Sequence, residues 1–231
     1  MSKYLICILL LIVGFTAIEA KKPKKKEKSG ELKENRFIDK QFKFEVEIPD
    51  GFKPELKDDE GCYRLSLIPQ NHKIPDYLYS TPELALIPVI DIYVTEMNID
   101  PVFYLDSLLS DDHQSAFKKN IMQDFVSSDE KFTFEWLRTM QKKPMLINGS
   151  KAIHWIGKIS YKDGRFVNLA SARQQLSTST VGEAKRQIDF GAILIVIQNN
   201  NMLLFLRTKC EKQFTNEISE EVEKIANSIK W

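Results

Sequence analysis

Residues 193–206, ILIVIQNNNMLLFL, decide the fold of this chain. Ile193 to Ile197 and Met202 to Leu206 are two runs of consecutive apolar residues. Strands that are apolar on both faces belong in the centre of a sheet that is covered on both sides. The polar residues between them, Gln198 to Asn201, suit a tight hairpin. This stretch therefore predicts two neighbouring central strands, with a further layer packed against each face.

Other strands surround this hairpin in the predicted sheet. Their apolar residues mostly alternate with polar ones, which is typical of half-buried strands. The turn Pro49-Asp50-Gly51 ends the first of them. Lys162-Asp163-Gly164 predicts a second hairpin, after which Arg165 to Ala172 would pair back. The predicted strands are Phe42–Ile48, Tyr63–Ile68, Val89–Met97, Phe132–Met140 and Lys151–Tyr161.

Helices are predicted in the middle of the chain and at its end. Asp100-Pro101 is a helix start, with a capping carboxylate and a proline in the first turn. Asp111 or Asp112 could cap a second helix that runs to Phe125. The last helix has one apolar face, formed by Phe214, Ile218, Val222, Ile225 and Ile229. Hairpin-linked strands with helices on both sides predict an α+β fold, an α/β/α sandwich around a mainly antiparallel sheet.

The first 20 residues are typical of a signal peptide. Lys3 provides a positive start, Tyr4 to Ile18 is an apolar run, and Ala20 precedes a plausible cleavage point. The run is shorter than the roughly 20 residues of a membrane span. The lysines that follow favour the alternative, an uncleaved N-terminal membrane anchor. The sequence predicts a chain exported to a periplasm or to the cell exterior.

Residues 21–36 are predicted to be a flexible, lysine-rich linker before a single domain, 37–231. Residues 21–28 hold six lysines and one glutamate. Removing these, Lys3 and Glu19 from the 33 basic and 32 acidic residues leaves 26 and 30, a net charge of −4. An acidic domain argues against binding to nucleic acid. The lysines could make a weak contact with an anionic surface, or serve only as a solubilising spacer.

Two cysteines, Cys62 and Cys210, remain in the domain once Cys7 is removed with the signal. In an exported protein they could form a disulfide, worth about 4–5 kcal/mol for a loop of this length. Two buried free thiols are the equal alternative.

No catalytic or metal-binding motif is present in the sequence. Asp111-Asp112-His113 could supply metal ligands, but no further ligand residues occur at a spacing typical of a metal site. A helix cap therefore explains these residues better. His154 lacks a recognisable nucleophile, since the chain has no Gly-x-Ser-x-Gly. No catalytic residue, metal site or cofactor is predicted.

A proline-rich excursion at residues 69–88 separates two of the strands. It carries Tyr77 and Tyr79, which are candidates for partner contact because tyrosine is favoured at interfaces. A loop folded back on its own domain is the alternative. Asn148-Gly-Ser150 is either a glycosylation sequon or simply a turn.

Both ends of the domain resemble PsbP-like domains. Phe42 to Phe52, FKFEVEIPDGF, is similar to the family's opening strand and turn, and the final hairpin and helix, ending in Ile225 to Trp231, resemble its last elements. Phe52 stands where the family more often has tryptophan, and the proline-rich excursion departs from it. The resemblance implies an α/β/α sandwich in an exported, non-catalytic accessory protein.

The sequence therefore predicts an exported non-catalytic module that binds envelope or secreted proteins. Two alternatives remain: a secreted hydrolase with an unsignalled site of histidine and carboxylates, and a surface-associated protein held by its polybasic tail. A deep pocket that holds His154 or His113 beside carboxylates would favour the hydrolase.

Overall fold

The structure is a computed structural model that describes residues 30–57, 62–79, 85–110, 116–128, 132–163 and 187–231. These residues form ten strands and three helices. The strands are β1 Gly30–Lys33, β2 Arg36–Asp39, β3 Phe44–Glu47, β4 Phe52–Leu56, β5 Tyr63–Pro69, β6 Ile90–Glu96, β7 Phe132–Ile147, β8 Ser150–Asp163, β9 Gln187–Asn199 and β10 Met202–Glu211. The helices are α1 Pro101–Leu109, α2 Ala116–Val126 and α3 Thr215–Asn227.

The main sheet has seven strands in the order β4-β5-β6-β10-β9-β8-β7. Every neighbouring pair is antiparallel. The hairpin of β9 and β10 lies in the middle of this order, as its two apolar runs predict. Asn200 at its tip has a φ of 49°, a left-handed conformation that asparagine adopts more readily than most residues.

Each face of the main sheet is covered by its own layer. Along β9, Ile193, Ile195 and Ile197 pack under α3 and the small sheet β1-β2-β3. Leu194 and Val196 face the other way, towards α1 and α2. Full burial of each such side chain contributes roughly 1.5–3 kcal/mol. The predicted α/β/α sandwich around an antiparallel sheet is therefore confirmed.

Both edges of the main sheet differ from the prediction. β4 was missed because Pro54 interrupts its pattern, and a proline is tolerated on an edge strand, where one row of N–H groups has no partner. β7 continues seven residues past Met140 to Ile147. Its polar stretch and Pro144 resemble a turn in sequence but suit an edge strand exposed to solvent.

The small sheet begins inside the predicted linker. Gly30–Lys33 pairs with Arg36–Asp39, so the assignment of residues 21–36 to a linker is wrong from Gly30 onward. A short edge strand with one large apolar residue, Leu32, shows no alternation that the sequence could reveal. Residues 1–29, which include the predicted signal, lie outside the described residues. None of the described helices is long and apolar enough to cross a membrane.

β8 has a partner on both of its edges. Residues 150–163 pair with β7, and residues 151–162 pair with β9. The predicted return strand at 165–172 lies outside the described residues. At the other end of β8, Asn148 and Gly149 have φ values of 48° and 83° and form the tight turn from β7. Asn148-Gly-Ser150 is thus a hairpin turn.

One buried arginine connects α2 to the main sheet. The Arg207 side chain is only 4% exposed. It donates to the Asp91 carboxylate at 3.0 Å on β6, and to the carbonyl oxygens of Asn120 and Ile121 on α2 at 2.7 and 2.6 Å. A buried ion pair is stable only when its remaining donors and acceptors are satisfied, as they are here.

We predict that Arg207→Met lowers the free energy of unfolding by about 3–5 kcal/mol, because Asp91 is left as a buried charge without its cation. Adding Asp91→Asn should recover part of the loss. The matched control is Lys142→Met, which removes a surface ion pair with Asp106 and should cost less than about 1 kcal/mol. Urea denaturation measures all four proteins, and equal losses for Arg207→Met and Lys142→Met would contradict this assignment.

Candidate functional site

Three polar side chains meet between α3 and β8 in an order known from hydrolases. The hydroxyl oxygen of Ser219 lies 2.9 Å from Nε2 of His154. On the other side of the ring, Nδ1 of His154 lies 3.5 Å from a carboxylate oxygen of Glu223. Ser219 and Glu223 are four residues apart, so they share one face of α3. His154 projects towards them because alternate residues of β8 face this helix.

The histidine in this cluster is held neutral. Burial lowers the pKa of His154, and Lys143 acts in the same direction, while Glu223 opposes the shift. A neutral ring with its proton on Nδ1 faces Glu223 as a donor and accepts from the Ser219 hydroxyl. This arrangement satisfies both nitrogens at the interface of helix and sheet.

The cluster is closed to any substrate in the structure. Ser219 is 6% exposed and His154 is 5% exposed. A nucleophilic serine needs a carbonyl carbon within reach and free donors for the oxyanion. Ser219 lies inside α3, where the backbone N–H groups are used by the helix itself. What the geometry supports is a polar clamp that fixes α3 on the sheet.

An open cleft lies beside the first half of α3, on a different face of the helix from Ser219 and Glu223. It has a volume of about 190 Å³. Three segments form its walls: the turn before β4, the proline-rich excursion, and the start of α3 with the 3₁₀ turn before it. The lining residues are Asp50, Gly51, Phe52, Pro69, Asn71, His72, Lys73, Pro88, Phe214, Glu217, Ile218 and Glu221.

Acidic groups dominate the polar part of this cleft. Glu217 forms an ion pair with Lys73, with Nζ 2.5 and 2.7 Å from its two carboxylate oxygens. Glu221 is half-buried, and burial followed by repulsion from Glu217 raises the pKa of its carboxyl. Within the described part of the chain, no ion pair or hydrogen bond is formed by the Glu221 side chain.

His72 gives the cleft a polar atom without a partner. Its Nε2 is shielded from solvent and forms no hydrogen bond among the described residues. Burial lowers the pKa of His72, so the ring is neutral near pH 7. Its ring meets Phe214 edge-on, with centroids 6.4 Å apart. A buried polar atom without a partner costs free energy that a bound donor or acceptor would recover.

The described residues contain no cluster of three or more histidine, cysteine, aspartate or glutamate side chains arranged to hold a metal. The sequence candidate Asp111-Asp112-His113 lies outside the described residues.

The two candidate tyrosines lie in the same excursion that forms one wall of the cleft. Tyr77 belongs to a 3₁₀ turn, Asp76–Leu78, which the fully buried Leu78 anchors. The side chain of Tyr77 lies outside the described residues. Tyr79 is 69% exposed, and a hydrogen bond with Asp76 raises its pKa. Tyr79 is not among the residues that line the cleft.

The two cysteines are free thiols that the fold keeps apart. The Cys62 carbonyl accepts from the N–H of Val94, whose partner on β10 is Leu204. Cys210 lies six residues further along β10, which is about 20 Å at roughly 3.3 Å per residue. A disulfide needs Cα atoms within about 7 Å, so this register favours the alternative of two free thiols over the Cys62–Cys210 bridge, both of which the sequence left open. Burial raises the pKa of the Cys210 thiol to about 12.

Sequence reasoning did not identify the cleft. Its residues come from three segments far apart in sequence: the turn before β4, the proline-rich excursion and the start of α3. Only the folded structure brings these segments together. One signal was present: Glu217, Ile218 and Glu221 fall beside the buried face of the last helix, at the spacing that places residues on one side. His154 was noticed, but its neighbours Ser219 and Glu223 belong to a different element.

No family model and no curated protein sequence matches this chain. Among solved structures, it is similar to the cyanobacterial PsbP (CyanoP) from Synechocystis sp. PCC 6803, with 8% identity, 90% of this chain and 95% of that chain covered, and a TM-score of 0.46. It is also similar to LpqN, which is involved in cell envelope biogenesis of Mycobacterium tuberculosis, with 12% identity, 81% and 82% covered, and a TM-score of 0.39.

We predict that His154 makes the protein less stable in mild acid. Because its pKa is lower in the folded state than its ordinary value of 6.5, the unfolded chain binds the proton first. The stability that the neutral ring contributes is complete above that ordinary value and is lost as the pH falls below it. In chemical denaturation, the stability advantage of the native protein over His154→Gln should shrink between about pH 7.5 and about pH 5.

Burial also lowers the pKa of His72, the other described histidine, so the advantage of the native protein over His72→Gln should change with pH in the same direction. An advantage over His154→Gln that stays constant or grows towards acid would contradict the prediction.

Proposed function

We propose that this chain is an exported, non-catalytic module that binds envelope or secreted proteins, and that a partner docks at the cleft beside α3. The proposal rests on the contrast between two polar sites that α3 helps to form, the clamp and the cleft. In the Ser219–His154–Glu223 clamp, the polar groups are paired with one another, and Ser219 and His154 are buried. The cleft leaves the half-buried Glu221 carboxylate without a partner in a wall that a ligand can reach.

The excursion that forms one wall of the cleft has the character of a binding surface. Two of its residues, Tyr79 and Ile87, expose large side chains to solvent. Long irregular loops that are anchored at buried points often carry function, and Leu78 and Pro88 are such anchors. Export rests on the signal-like residues 1–20 and gives the module access to envelope or secreted partners.

A secreted hydrolase is the second candidate, because the order of Ser219, His154 and Glu223 matches a catalytic triad. Catalysis would require α3 to move away from β8 and expose the serine. That movement would also break the burial of Val222 and Ile225 on the same helix. The binding module is favoured because it needs no such rearrangement.

The proposal predicts site-specific crosslinking to a partner in the native cell envelope. A photoreactive benzoylphenylalanine placed at Asn71, an exposed residue of the cleft, should crosslink to a discrete protein. The same group at Lys119, exposed on α2 across the sheet, should not. Equal crosslinking at the two positions, or none at Asn71, would contradict the proposal.

The hydrolase is tested on the same preparations with a fluorophosphonate probe, which labels activated serines. We expect no labelling that depends on Ser219. Labelling of the native protein that disappears in Ser219→Ala would favour the second candidate instead.

A further inference from the structure

We propose that the cleft binds one basic side chain, an arginine or a lysine, presented by the partner polypeptide. This inference rests on the proposed function, because it names the chemistry of the partner at the same site. It is argued from the charges, the apolar walls and the size of the cleft.

The charges of the cleft are unbalanced. Among the described residues, Asp50, Glu217 and Glu221 provide three carboxylates, and Lys73 is the one ammonium group that lines the cleft. That ammonium is already engaged by both carboxylate oxygens of Glu217. Asp50 and Glu221 have no ion pair within the described residues. A bound cation would therefore neutralise part of the net negative charge of the cleft.

Glu221 has the carboxylate that a bound cation would stabilise most. Its carboxylate is half-buried, and Glu217, one helical turn earlier, repels it. Lys73 and Lys224 act on it only at a distance. Removing water from a charge is unfavourable unless an opposite charge compensates, and a guanidinium or ammonium group at this point would do so.

The walls of the cleft suit the stem of a long basic side chain. Phe52, Phe214 and Ile218 are half-buried and present apolar surface beside the carboxylates. Lysine and arginine pack their methylene groups on apolar surface while the charged end reaches polar groups. Arginine gains further from stacking on aromatic rings and from its five donors.

The size of the cleft limits the ligand to about one side chain. Pockets for drug-sized molecules or cofactors measure about 300–1,000 Å³, whereas this cleft measures about 190 Å³. The described residues form no metal-binding cluster. A single basic side chain fits the volume, the charge and the apolar walls together.

The experiment uses the mature chain and two small probes, N-acetyl-arginine-methylamide and its neutral analogue with citrulline. The two probes have nearly the same shape and differ in charge. Titrations followed by NMR should show the arginine probe binding at least about tenfold more tightly than the citrulline probe, as a charge-assisted contact implies. Shifts should concentrate at residues 71–73 and 217–221.

Two variants of α3 make the test specific. Glu221→Gln should bind both probes with similar, weak affinity. Glu220→Gln, the matched control, removes the same charge from an exposed position next to it and should behave as the native chain. Equal binding of the two probes to the native chain, or unchanged selectivity in Glu221→Gln, would overturn the inference.

The chain's own lysines at residues 21–28 are the other possible occupant. A variant without these residues should bind the arginine probe as the native chain does, and tighter binding by at least about tenfold would assign the cleft to its own tail instead. Failure of the inference can be told from failure of the proposed function. Crosslinking at Asn71 without probe selectivity would support the binding module and overturn the basic side chain as its ligand. Probe selectivity without any crosslinked partner would support a cleft that prefers a basic side chain and contradict the binding module.

Discussion

Burial of both faces of β9 and β10 is the constraint on which the rest of this structure depends. Residues 193–197 and 203–206 are fully buried, so neither face of the central hairpin can meet water. One layer cannot cover two faces, and the chain therefore places α1 and α2 on one side and α3 with the small sheet on the other. Five of the six neighbouring pairs in the order are consecutive in the chain, which suits antiparallel pairing.

The position of α3 follows from this constraint and in turn creates the polar sites. Its apolar stripe must lie over Ile193, Ile195 and Ile197, which fixes the rotation of the helix. Ser219 and Glu223 then meet His154 beneath the helix, while Glu217 and Glu221 are turned towards the proline-rich excursion. Packing thus decides which polar groups of one helix are sealed and which remain accessible to a ligand.

The sequence predicts those features that depend on local periodicity. The β9–β10 hairpin, the helix start at Asp100, whose side chain accepts from Val102, and the apolar face of α3 are all confirmed. The edges were missed, since Pro54 and Pro144 are compatible with edge strands but look like breaks. The Cys62–Cys210 bridge and the triad-like clamp depend on register and on contacts between distant segments, which one-dimensional patterns do not contain. Of the cleft, only the α3 residues could have been suspected.

Native-state hydrogen exchange tests the central claim most directly. If the doubly buried hairpin organises the fold, the amides of residues 193–197 and 202–206 should exchange slowest, and only through global unfolding. Their exchange free energy should equal the free energy of unfolding from urea denaturation, while the edge strand Phe52–Leu56 should exchange much faster. Exchange of the central hairpin at the rate of that edge strand would contradict the account.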